Sequence, residues 1–139
     1  MVILKKIKND WYLKVSFLIG GTYNLLSGII LLLFWDSLSS LFEAQIPNSI
    51  FIQIIAIFLI VVGYFLIYAA QNPRELVIIG VGSATTRLVY FLIALVSLIR
   101  QDIEIVYLIF GIIDAFVAII ILIPLLLTEG ISWQKLWCF

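Results

Sequence analysis

The sequence predicts an all-α integral membrane protein, a single domain (1–139) built as an antiparallel four-transmembrane-helix bundle. Three observations predict it. Hydrophobic residues make up 65% of the chain and charged ones only 12%, where soluble domains carry about a quarter charged residues. Four apolar runs, at 15–35, 50–70, 76–99 and 103–127, each reach the roughly 20 residues that a helix needs to cross a bilayer. The later runs are separated by the short segments QNPRE and RQDIE, and tight connections place successive helices antiparallel.

The start, MVILKKIKNDWYLK, reads as an interfacial lead-in and not as a cleavable signal, because a small-residue cleavage site is missing and the apolar run that follows is too long. Trp11 and Tyr12 are expected at headgroup level, with Lys5, Lys6, Lys8 and Lys14 reaching into water. After the first span comes DSLSSLFEAQIPNS. Leu38, Leu41 and Phe42 have helical spacing with polar residues between them, which predicts a short amphipathic helix on the outer surface. Asn48 or Ser49, after Pro47, would cap the second span. Pro73 is a turn residue, and Pro124 either kinks the fourth span or helps to end it. In the tail, Trp133 and Trp137 have the spacing of an aromatic anchor.

The basic residues give an orientation. The lead-in lysines, Arg74 and Lys135 fall on one side, while Arg100 stands on the other among Asp36, Glu43, Asp102 and Glu104. The positive-inside rule then predicts both termini in the cytoplasm and a multi-pass protein of the cytoplasmic (inner) membrane.

Composition removes several functions. Eight basic and eight acidic residues cancel, so no basic face exists for nucleic acid. There is no histidine, which rules out histidine-ligated metals and Ser-His-Asp chemistry. The single cysteine, Cys138, cannot form an internal disulfide; it reads as a surface thiol, with palmitoylation the alternative. No nucleophile–base pair, metal cluster or phosphate loop appears, so an enzyme is not expected.

What remains is a set of polar residues inside the spans. Arg87 lies eleven residues beyond Leu76, and Asp114 eleven beyond Ile103. Each is therefore about 16 Å deep in a hydrocarbon core about 30 Å thick. Antiparallel third and fourth spans bring the two to one level, which predicts an Arg87–Asp114 ion pair with bidentate geometry open to it. Gly111, Asp114, Ala115 and Ala118 share one face of the fourth span. Ser83, Thr86, Arg87 and Tyr90 form a polar stripe on the third, and Gly20, Asn24, Ser27 and Gly28 share a face of the first. The second span contributes Gly63, Tyr64 and Tyr68. The expectation is a midplane cluster of Asn24, Arg87 and Asp114 ringed by Tyr23, Tyr64 and Tyr90.

YNLLSGIILLLFWDSLSSLF, followed by YAAQNPRELVIIGVGS, resembles a group of small DoxX-like bacterial four-helix membrane proteins. The resemblance covers the layout of most of the chain and the turn Ala70-Gln71-Asn72-Pro73. Trp35-Asp36 stands where that pattern has a proline-containing helix end. Some relatives are linked to quinone-dependent sulfur oxidation, but no catalytic residue of that chemistry maps onto a position here.

Three functional classes follow. One is a non-catalytic membrane protein, an accessory subunit or homo-oligomer in which the pair is structural. Another is a transporter or channel that uses Arg87 and Asp114 as a gate or coupling site. The third is a quinone- or lipid-binding subunit. No cofactor is predicted, with quinone or lipid kept open. The expected partners are the bilayer and a second copy or larger membrane complex. The ligand- or ion-binding candidates are Arg87, Asp114, Asn24, Tyr23, Tyr64, Tyr90, Thr86 and Ser83.

Overall fold

The computed structural model describes residues 10–41, 49–101 and 105–128. They form α1 (Trp11–Leu41), α2 (Ser49–Ala69), α3 (Val77–Ile99) and α4 (Ile105–Leu127). Each helix is long and apolar enough to cross a bilayer, and the chain is a multi-pass membrane protein. Lys5, Lys6, Lys8, Phe42, Glu43, Pro47, Asn48, Asp102, Glu104, Trp133, Lys135, Trp137 and Cys138 lie outside the described residues.

The helix ends differ from the apolar runs mainly in α1. It begins at Trp11 and not near Val15, so Trp11 and Tyr12 belong to its first turn. It also continues past Trp35 to Leu41 after a kink at Phe34 (φ −122°, ψ 16°). The segment expected as a separate amphipathic helix is, as far as Leu41, this bent continuation. Ser39 and Ser40 donate their hydroxyls to the carbonyls of Asp36 and Ser37, so these polar side chains find partners within the helix itself. In α4 the helix runs through Pro124 to Leu127, and Thr128 Oγ donates to the Pro124 carbonyl at 2.6 Å.

α1 packs on α2 and α3 on α4, giving two antiparallel hairpins. Smaller α1–α4 and α2–α3 contacts close the ring, so α1 and α3 face each other across the diagonal. Within the first hairpin the backbones nearly touch. A Cβ on Gly28 would stand 2.6 Å from the Ala56 carbonyl, and one on Gly63 would stand 2.8 Å from the Gly21 carbonyl. Small residues let helix backbones come this close, and in lipid this packing replaces the missing hydrophobic drive.

The two hairpins share one buried core, formed by Leu13, Phe17, Leu66, Val77, Ala84, Ala118, Ile121 and Leu125 with their neighbours. These residues all lie in the half of the bundle that holds the start of α1 and the α2–α3 loop. In the other half, Ala56 packs on Gly28 and Ala94 on Gly111, each within its own hairpin. Arg74 and Asp10, 2.5 Å apart, tie the α2–α3 loop to the start of α1.

Candidate functional site

The polar cluster sits where this shared core ends. On α3, Gly80 makes room for the Phe17 ring of α1; a Cβ there would stand 2.3 Å from the ring. That close approach brings α1 and α3 together across the diagonal. Two turns further along α3 is Arg87, 5% exposed, whose long side chain spans the centre of the bundle. Nη1 donates to Asp114 Oδ1 at 2.5 Å. Nη2 donates to Asn24 Oδ1 and, at 3.4 Å, to the Gly20 carbonyl. The guanidinium carbon lies 5.0 Å from the centre of the Tyr23 ring, within cation–π range. The Tyr23 hydroxyl adjoins the Asp114 carboxylate and the Ser27 hydroxyl. One side chain thus joins α1, α3 and α4.

The electrostatics follow from depth. A lone charge at the bilayer centre costs at least about 2.5–3.5 kcal/mol. Here one guanidinium and one carboxylate neutralise each other, and an amide oxygen, a backbone carbonyl and an aromatic face meet the rest of the delocalised guanidinium. The pair makes a single N–O contact, not the bidentate fork that guanidinium and carboxylate can form, because Asn24 and Gly20 take the second terminal nitrogen. Arg87 Nε is buried and has no hydrogen-bond partner. The side chain of Asp114 is 21% exposed, so the cluster is buried at Arg87 and Asn24 and partly open at Asp114.

The remaining candidates separate. Ser83 is buried one turn from Arg87. Thr86 lies about 100° around the helix from Arg87, is exposed, and donates to the Gly82 carbonyl. Tyr90 is 36% exposed, with its hydroxyl 3.4 Å from the Tyr107 carbonyl. Tyr64 is 62% exposed on α2, edge-on to Phe65. Tyr64 therefore does not ring the cluster, Tyr90 stands at its edge within electrostatic reach of Asp114, and Tyr23 alone of the three meets Arg87. The small face expected on α1 also divides. Gly20 and Asn24 turn to the bundle centre, where Ile121 covers Gly20, whereas Gly28 joins Gly21 against α2. On α4, Gly111 and Ala118 are buried while Asp114 and Ala115 are half-buried.

Two features went unread in the sequence. The Gly20 carbonyl as an acceptor for Arg87 left no side-chain signal. The Asp10–Arg74 pair was readable from opposite charges at two chain positions that must share one end of the bundle. Among the described residues no group of three or more His, Cys, Asp or Glu side chains could hold a metal ion. No protein-family model, curated protein or solved structure matches the chain.

Proposed function

We propose that the protein is a small non-catalytic membrane subunit, working as a homo-oligomer or as an accessory chain of a larger complex. In this reading the Arg87 cluster is a structural pin that fixes the register of the two hairpins. The observation that carries the reading is that Arg87 directs both terminal nitrogens to groups of its own chain on two other helices. A self-neutralised pair whose terminal nitrogens bond to other helices of the same chain suits a role in helix association and register. The half of the bundle beyond the cluster, where Ala56 meets Gly28 and Ala94 meets Gly111 within their own hairpins and the shared core does not extend among the described residues, supports a partner that completes the packing there. An inner-membrane location with both termini cytoplasmic belongs to the same proposal, on the charge asymmetry of the connections. So does kinship with DoxX-like proteins, on layout and the Ala70–Pro73 turn.

One observation favours a second reading. Asp114 is 21% exposed while Arg87 is 5% exposed, as a carboxylate that exchanges a proton with a cavity would be. Purified protein in liposomes loaded with a pH-sensitive dye separates the two. The scaffold reading expects the proton leak of empty liposomes under an imposed potential. A flux well above that, abolished by Asp114→Asn in a folded protein, would replace the scaffold with a transporter.

A further inference from the structure

At the end of the bundle where α1 begins and the α2–α3 loop turns, a surface groove is lined by Asp10, Trp11, Lys14, Asn72, Arg74 and Glu75. Its charges are of two kinds. Arg74 and Asp10 are paired with each other at 2.5 Å. Lys14, from α1, and Glu75, from the loop, are exposed and make no ion pair among the described residues. Among the described residues the groove therefore presents one cation and one anion outside any ion pair. It stands where three spans end, which for a bilayer-spanning bundle is the level of lipid headgroups, with exposed apolar Leu18 continuing along α1 on the face that carries Trp11 and Lys14.

We infer that this groove binds the headgroup of a zwitterionic aminophospholipid. Lys14 would take the phosphate, and Glu75 would accept hydrogen bonds from the primary ammonium. The Asn72 amide adds a polar group on the loop side, and the Trp11 ring suits the boundary between headgroup and acyl chain. An anionic headgroup matches the groove less well, because its phosphate would meet Lys14 while Glu75 repelled its net charge. The acyl chains would lie on the apolar surface of α1 beside Leu18, so the ligand is a membrane lipid and not a soluble phosphoester. This inference rests on the chain spanning a membrane and is independent of the role given to Arg87.

Native mass spectrometry tests it on delipidated full-length protein given equimolar phosphatidylethanolamine and phosphatidylglycerol. The wild type is expected to retain phosphatidylethanolamine several-fold over phosphatidylglycerol. Lys14→Ala and Glu75→Gln, both on the surface, are each expected to bring that ratio close to one. Glycerophosphoethanolamine, the headgroup without chains, is expected to leave the bound lipid in place. Preference for phosphatidylglycerol, a ratio that neither variant changes, or displacement by the soluble headgroup would each overturn the assignment.

Discussion

At the scale of single residues, Arg87 is a buried charge that is costly to desolvate and that reaches two other helices. A guanidinium offers five N–H donors in a plane, and here the two terminal nitrogens diverge, one to α4 and one to α1. A lysine carries its charge at one point and cannot span acceptors on two helices. Arg87→Lys is accordingly expected to lower the Tm in detergent although charge is conserved, and a Tm equal to wild type would refute the bridging role. Asn24→Leu removes the acceptor of Nη2 and leaves it with the longer Gly20 contact. The expected loss is about 1–3 kcal/mol, the cost of orphaning a buried donor, read from denaturant or thermal unfolding. The pairing of Arg87 with Asp114 was legible in the sequence because depth can be counted along two antiparallel helices. The surroundings were not. Whether Thr86 or Tyr90 reaches the cluster depends on a rotation of less than a third of a turn, which is fixed by where Gly80 admits Phe17.

At the scale of elements, glycine contacts decide how the helices meet, and they give opposite predictions at three positions. Gly28→Ala and Gly63→Ala place a methyl within 2.6–2.8 Å of backbone on the facing helix, so α1 and α2 must separate and stability must fall. Gly82 has nothing within 4 Å of where its Cβ would be. Gly82→Ala is expected to be neutral or stabilising by up to about 1 kcal/mol from helix propensity alone. If all three behave alike in thermal unfolding, the α1–α2 contact does not hold the hairpin. The connection after α3 offers a second case. Gln101 stands in the left-handed region at φ 61°, and its N–H donates to the Leu98 carbonyl at 2.9 Å. Gln101→Gly should raise the Tm, since a side chain in this conformation costs about 1–2 kcal/mol; an unchanged or lower Tm would show that the turn is not strained. All four helices were visible as apolar runs. The bent end of α1 was not, because hydropathy marks where a helix leaves the lipid and not where its hydrogen bonds stop. Asp36, Ser37, Ser39 and Ser40 are polar and still helical.

At the scale of the whole molecule, the two hairpins meet in a core that fills the half near the α2–α3 loop, and the Arg87 cluster closes that core. Composition could foretell a bundle but not this asymmetry, which arises from where bulky Phe17, Leu66, Ile121 and Leu125 face one another. The proposed orientation is testable by labelling single cysteines in a Cys138→Ser background. Asn72→Cys should be shielded from a membrane-impermeant thiol reagent in intact cells and Arg100→Cys should react, and the reverse pattern would invert the topology. The structural role of the cluster is tested most directly by thermal unfolding of Arg87→Leu, Asp114→Leu and the double variant. Breaking a buried pair by removing one partner costs about 3–5 kcal/mol, whereas replacing both with apolar groups is often close to neutral. A carboxylic acid can also shed its charge by taking a proton and a guanidinium cannot. Asp114→Leu should therefore be the least stable, Arg87→Leu intermediate, and the double variant close to wild type. Single variants as stable as wild type, or a double variant that loses the sum of both, would contradict the cluster as the pin of the fold.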